Sequence, residues 1–447
     1  MTNVPFINKI TNELSKRKLK SDVVANALLD ISMSNDKLDE VLKIKSSASE
    51  IDGSVNRDRQ IMVMLGDSIT AGNSNEPTII NATYNGQVMW GNALAGSPFE
   101  IIYNAGIGGE TSSQIYARID SDVLPYSPSH CIFLCGMNDG VTTDAILLLK
   151  NNIIKIYEKL NKNGIFSYIC TNTTTNNSTL TNQKALNINA WMFNYFKDKP
   201  NCEVIDLNSA WINPANSNGN IKSSCTRDNL HPSNNGGFLG GIQLSKHFSK
   251  VKPKAFLPVS AFDSLALNSL SKNILKQPLL LGTTGTLQGT ATGSVAADCR
   301  VYSSATSCIC SKETRNDGFG ENQVITVSSA IDAESRLELF SAVPVTINEE
   351  FYMVAEIEIL SSVGVKTCGM VLFINSNIAS SFLTAGAAGT MSALEIPTNG
   401  VKMQIKTKSI VARVSSVLGG VFIRIPIYTL ANSNATIKIG RVACYRL

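Results

Sequence analysis

Ile61-Met62-Val63-Met64-Leu65-Gly66-Asp67-Ser68-Ile69-Thr70 decides the fold of the first half of this chain. The apolar run Ile61 to Leu65 reads as a buried strand that breaks at a Gly-Asp-Ser turn. A serine where a parallel strand gives way to a helix lies at the carboxyl edge of an α/β sheet, the edge at which such folds bind ligands. Three segments follow in order. Asn104-Ala105-Gly106-Ile107-Gly108-Gly109-Glu110-Thr111 comes after the apolar run Phe99 to Tyr103. Gly136-Met137-Asn138-Asp139 comes directly after Cys131 to Cys135. Asp228-Asn229-Leu230-His231-Pro232 is the last.

Serine is a poor nucleophile until a base takes its proton. The chain holds three histidines, His130, His231 and His247. His130 opens an expected strand, and His247 sits in an amphipathic helix. Only His231 has an acid three positions before it, so Asp228 can hold the imidazole in one tautomer and stabilise the imidazolium. Ser68, His231 and Asp228 are therefore the expected nucleophile, base and orienting carboxylate. Asp67 and Asp139 read as structural hydrogen-bonding groups.

Together the four segments resemble the blocks of the SGNH (GDSL) hydrolase family, over roughly residues 60 to 251. The resemblance implies a flavodoxin-like α/β fold and an oxyanion hole made by the Ser68 N–H, the Gly109 N–H and the Asn138 amide. Gly108 competes with Gly109, but Asn104, Gly106 and Thr111 align the pattern on Gly109. No cofactor and no metal are expected.

Strands are expected at 61–65, 99–103, 131–135, 165–170 and 202–206, with helical spacing at Ile146, Leu149, Ile153, Ile156 and Leu160, and again at Leu186, Met192 and Phe196. Strands joined by helices imply a parallel sheet with right-handed crossovers. Residues 252–290 read as a linker ending in a Thr/Gly-rich loop, Gly282 to Gly293. Beyond it the period becomes two: Phe351 to Ile359, Val401 to Thr407, Val421 to Ile427, then a last strand, Ile437 to Tyr445. Many strands without helices imply an antiparallel sandwich over 291–447. Its architecture is similar to jelly-roll, carbohydrate-binding-like modules.

Residues 1–55 read as an N-terminal anchor or oligomerisation segment, helical to about residue 50 and joined to the next domain by a Ser/Asp-rich stretch, Ser46 to Asn56; the alternative is an amphipathic helix packed on its own domain. Val24, Leu28, Ile31, Asn35, Leu38 and Leu42 step as a short heptad seam able to join identical chains, a trimer above all. The domains expected are thus 1–55, a hydrolase at 56–251, the linker and the β-module. With 17% charged residues and a formal charge of +4, no basic run points to nucleic acid. No signal-peptide core or membrane span is legible. The ten cysteines read mostly as buried free thiols.

Thr171 to Thr179 and Asn213 to Cys225 are rich in hydroxyl and amide side chains, with Trp211 beside the second as a candidate sugar-stacking residue. These features suggest an acetylated polysaccharide substrate. Helical anchor, esterase and β-module together resemble phage tail spikes that deacetylate capsule or O-antigen. The expected location is then the virion tail, with other tail proteins as partners. The alternatives are a secreted carbohydrate esterase, a lipase or thioesterase, and a non-catalytic glycan-binding adhesin.

Overall fold

The computed structural model describes residues 60–73, 86–252, 257–341, 343–374, 377–384, 400–412 and 421–447. The expected N-terminal helix and its seam lie outside the described residues.

The first half is a five-stranded parallel sheet, β1 (Ile61–Gly66), β2 (Glu100–Gly106), β3 (His130–Leu134), β4 (Phe166–Cys170) and β5 (Cys202–Ile205), in the order β2-β1-β3-β4-β5. That order is flavodoxin-like, with a crevice where the chain switches sides between β1 and β3. The helices are α1 (Ser68–Ala71), α2 (Gln87–Leu94), α3 (Ser112–Ala117), α4 (Ile119–Asp122), α5 (Thr143–Lys162), α6 (Thr179–Phe196), α7 (Asn208–Trp211) and α8 (Asn234–Phe248). Helix α5 buries Leu149, Ile153, Ile156 and Leu160, four of the five expected positions. Thr142 caps it by accepting from the Ala145 N–H. Helix α6 departs from expectation. Met192 and Phe196 are buried but Leu186 is exposed, because Asn182, Lys184 and Asn189 occupy the inward face.

The second half is all β: β6 (Thr284–Gly293), β7 (Val295–Thr314), β8 (Glu321–Ser329), β9 (Ala333–Phe340), β10 (Glu350–Ile374), β11 (Asn377–Thr384), β12 (Val401–Lys406), β13 (Ile410–Val411) and β14 (Val421–Arg446). Three long strands change partners midway. β7 pairs with β9 through Ser303 and with β8 from Ser307. β14 pairs with β9 through Thr429 and with β8 from Ser433. Two of the four register shifts between β10 and β14 fall at the same level, between Val363 and Thr367. The bends divide one hydrogen-bonded sheet into two layers around a single core, in which Leu337, Leu339 and Ile423 pack with Ile325, Val327 and Ile437.

Three expectations are corrected here. Val421–Ile427 and Ile437–Tyr445 are one strand, β14: its pairing lapses over Leu430–Asn432, where Asn432 has a positive φ (61°), and resumes from Ser433 on a new partner. The expected loop at Gly282–Gly293 contains strand β6, paired parallel to β7 and largely exposed, so it shows no apolar alternation. The expected linker is stitched to the β half: Ile274 N–H donates to Cys444 O (2.9 Å), Val442 N–H donates to Pro278 O (2.9 Å), and Ile274, Leu275 and Leu280 are buried in its core.

The two halves also share that core. Trp90 and Ala93 of α2 and Phe238 of α8 pack into it, with Trp90 and Phe238 edge to face at 5.1 Å. Ser97 Oγ donates to Gln404 O (2.6 Å), and Ser409 N–H donates to Glu100 Oε1 (2.8 Å). Glu100 also lies 3.7 Å from the Lys406 ammonium, both side chains buried. All ten cysteines are free thiols, nine of them buried. No described helix is long and apolar enough to cross a membrane.

Candidate active site

Strand β1 is fully buried and ends at Gly66, whose carbonyl accepts from Ile107 N–H (3.0 Å) and Arg118 Nη2 (2.9 Å). Asp67 follows as the N-cap of α1, its Oδ1 accepting from Ile69 N–H at 2.9 Å. That places Ser68 at the first helical position, above the carboxyl edge of the sheet. His231 Nε2 lies 2.8 Å from Ser68 Oγ, and His231 Nδ1 lies 2.7 Å from Asp228 Oδ2. The sequence-distant serine and the Asp-His pair thus form one relay.

Asp228 is fixed within its own loop. Its Oδ1 accepts from Leu230 N–H (3.1 Å) and His231 N–H (2.7 Å). Burial alone would raise its pKa, but these donors and the His231 ring outweigh it and hold the carboxyl below the usual aspartate value. Asp228 therefore stays anionic, as an imidazolium partner must. The loop is fastened from outside as well, since Asn229 O accepts from Thr175 Oγ1 and Asn176 N–H, both at 2.9 Å.

The other two blocks complete the rim. Asn104 Nδ2 donates to Thr70 O (3.1 Å) and Ala71 O (3.3 Å), tying β2 to the end of α1. A Cβ at Gly106 would collide with Ala71 N, so only glycine permits that approach. Gly109 has a φ of 81° and is exposed, with nothing within 4 Å of where a Cβ would stand. Gly108 is nearer the nucleophile: its Cβ would lie 3.8 Å from Ser68 Cβ. The exposed Asn138 donates one amide hydrogen to Glu110 O (3.0 Å), which leaves its second donor for a ligand.

Beneath Asn138 lies a residue that sequence reasoning missed. Lys184, on α6 and buried, donates its ammonium to Gly136 O (2.7 Å), Met137 O (3.3 Å) and Asp139 O (2.5 Å). Burial lowers its pKa from the usual lysine value, while the Asp139 charge opposes that. Asp139 in turn accepts from Ser112 N–H (3.0 Å) and Ser112 Oγ (2.5 Å), a structural role. A lysine on a helix otherwise reads as a solvated side chain, and no neighbour in sequence marks this one as buried.

Trp211 does not serve as a sugar platform. It is 1% exposed, and its Nε1 donates to Gly236 O (2.6 Å) inside the core. The Thr171–Thr175 stretch is likewise buried. Asparagine side chains hold its backbone: Asn189 accepts from Asn172 N–H (2.7 Å), Asn208 from Thr174 N–H (2.9 Å) and Asn182 from Thr175 N–H (2.7 Å). The polar composition read as ligand-facing is mostly an internal scaffold for the Asp228–His231 loop. The remaining histidines stand apart from the relay. His130 packs among Phe99, Phe166 and Tyr168, and burial pushes its pKa down to about 4. His247 contacts Glu203 (2.9 Å). Among the described residues no cluster of His, Cys, Asp or Glu is arranged to hold a metal ion.

The profile of the GDSL-like Lipase/Acylhydrolase family matches residues 64–237, the segment that carries all four blocks. No curated protein sequence matches the chain. Similar solved structures include an acylhydrolase of Bacteroides fragilis (22% identity, 43% of this chain and 87% of that one, TM-score 0.34). Others are a lipase/acylhydrolase of Enterococcus faecalis (20%, 44% and 100%, TM-score 0.35) and a catalytic mutant of an acetylxylan esterase of Geobacillus stearothermophilus (18%, 43% and 93%, TM-score 0.34). Residues 64–237 thus match the GDSL-like Lipase/Acylhydrolase family, and the five-stranded parallel sheet that carries them has the SGNH fold.

Proposed function

We propose that this chain, whose residues 64–237 form a GDSL-like acylhydrolase domain, is a serine esterase that removes O-acetyl groups from a bacterial surface polysaccharide. The observation that carries the esterase reading is the relay Asp228–His231–Ser68, with links of 2.7 and 2.8 Å. His231 Nε2 takes the Ser68 proton as Oγ bonds to the ester carbonyl carbon. The oxyanion lies among the Ser68 N–H, the Gly109 N–H and the free hydrogen of the Asn138 amide. The C–O bond to the sugar breaks, and His231 returns the proton to the departing alkoxide. Water, deprotonated by His231, then attacks the acetyl carbon; the bond to Ser68 Oγ breaks, His231 returns the proton to that oxygen, and acetate is released.

A polar rim supports a hydrated glycan over a lipid. Asn138, Asn177, Arg227 and Asn229 are all exposed on the loops that bear or brace the relay. The test is acetate release from a panel of O-acetylated bacterial polysaccharides, with Ser68→Ala as the blank. Rapid hydrolysis of long-chain aryl esters with no acetate release from any polysaccharide overturns the substrate reading in favour of a lipase or thioesterase. The setting we propose is a homotrimeric phage tail spike or fibre acting outside the cell. Its support is the heptad seam from Val24 to Leu42 and the appended β half. A monomer in light scattering of the full chain at micromolar concentration contradicts it.

A further inference from the structure

We propose that the outer face of the β half, on strands β7, β9, β14 and β10, binds an acidic polysaccharide chain of the uronic-acid class. This deepens the polysaccharide reading above, which it takes as its premise. Inward residues of these strands, Leu337, Leu339, Ile423 and Ile425, fill the core, so their neighbours face outward. Two adjacent rungs of the ladder result. One is Arg300, Glu338 and Arg424; the next is Phe340, Phe422 and Phe373.

Buried Glu338 gathers three guanidiniums. Its Oε1 accepts from Arg336 Nε and Arg424 Nε, each at 2.8 Å, and its Oε2 accepts from Arg300. Each guanidinium is also held against a ring: Arg336 at 4.1 Å from Tyr302, Arg300 at 5.3 Å from Phe340, and Arg424 at 5.0 and 5.1 Å from Phe373 and Phe422. Arg424 spends only Nε. Its two Nη groups have no hydrogen-bond partner among the described residues, and its side chain is 31% exposed. Three guanidiniums here meet Glu338 and Glu334, and beside them Lys276 pairs with Asp298 (3.8 Å), so one positive charge is left in excess. The face is therefore complementary to an anion.

The pairing of groups narrows the ligand. A guanidinium fork with free donors suits a planar carboxylate, which it grips through two parallel bonds. The flanking Phe373 and Phe422 rings stack at 4.7 Å and offer an apolar face to the C–H side of a sugar ring. A uronate carries both features on one residue. Phe340 also walls a cleft of about 500 Å³, bounded by Thr284, Thr286, Asp298 and Ser341, within the size range of glycan and small-ligand sites. The hydroxyl and carboxylate groups of that cleft suit the hydroxyls of neighbouring sugars. A nucleic acid is disfavoured, because the whole chain carries a formal charge of only +4.

The experiment is affinity electrophoresis of the full-length Ser68→Ala protein, which binds without turnover, through gels containing polygalacturonate, neutral dextran or dextran sulfate. Retardation by polygalacturonate alone is expected. Arg424→Gln, and independently Phe422→Leu, should weaken it about tenfold or more, while Arg424→Lys, which keeps charge but not the fork, should not restore it. Far-UV circular dichroism confirms folding of each variant, and Phe422→Leu decides the matter if Arg424→Gln does not fold. No retardation by polygalacturonate, equal retardation by dextran sulfate, or no effect of either substitution overturns the proposal. So does retention on phosphatidylglycerol vesicles without retention on polygalacturonate. Acetate release by the Ser68 enzyme is a separate readout, so failure of glycan docking and failure of the esterase reading are told apart.

Discussion

As the nucleophile we propose, Ser68 depends on its neighbours, and their contributions are separable by substitution. Asn138→Ala should lower kcat by ~10²–10³ with little change in KM, since an oxyanion donor acts mostly in the transition state. Steady-state kinetics on an aryl acetate checks this; a raised KM at constant kcat would make Asn138 a ground-state contact. Asp67, buried beside the nucleophile, has a pKa pushed up to about 7 by burial, partly opposed by the Ile69 N–H, with Asp139 adding to the rise. Its folded pKa exceeds the unfolded value, so the native state holds more protons between about pH 4 and pH 7, and stability falls as pH rises through that window. Asp67→Asn keeps the cap acceptor without the charge. Its stability relative to the parent should therefore improve from pH 5 to pH 8 in urea titrations; a constant difference would refute this. At this scale, Ser68, Asp228 and His231 were legible because each sits in a short contiguous motif whose chemistry is local. Trp211 was misread because burial is a property of the packed fold, and no neighbour in sequence records that Gly236 O takes its N–H.

Elements position these side chains through contacts that cross the fold. Helix α6 is the clearest case: Asn182 and Asn189 bind the loop after β4, while Lys184, further round the helix, binds the loop after β3. Lys184→Met removes three carbonyl contacts beneath Asn138. A displaced oxyanion donor is costly even at about 1 Å, so kcat should fall at least about tenfold with a smaller change in KM. Equal losses in kcat and thermal midpoint, abolished by cooling, would show a merely structural role. The strands of the parallel sheet were visible as apolar runs, and the order of the motifs along them followed. Less visible was β6, since Thr284–Gly293 has neither apolar alternation nor bulk and is a strand only because β7 offers it an edge. The long bent strands were unreadable for a related reason: a polar interruption marks a turn in one context and a change of sheet layer in another.

Across the whole molecule, residues 56–447 form one compact unit. Trp90 is where that unity is most concentrated: a hydrolase side chain, 1% exposed, sealed into the β core. Trp90→Ala should destabilise the protein by about 3–5 kcal/mol, the usual cost of emptying a large aromatic site. Circular dichroism and intrinsic fluorescence should follow one coincident transition, shifted together by the substitution. Two transitions, only one of them sensitive to Trp90, would show that the halves fold separately. The sequence suggested a hydrolase, a linker and a module in series. That the connecting segment is itself core was hidden, because Ile274, Leu275 and Leu280 are too few and too scattered to announce a partner.

The shared core bears on how such a protein can be rebuilt. An engineer wishing to retarget the esterase by exchanging its β half would cut between residues 252 and 290, where composition invites it. The cut would strip Trp90 and Phe238 of their cover and separate Glu100 from Lys406. Any graft must carry its own complement to α2, α8 and Glu100. Recombination is thus restricted to donors that already fit this seam.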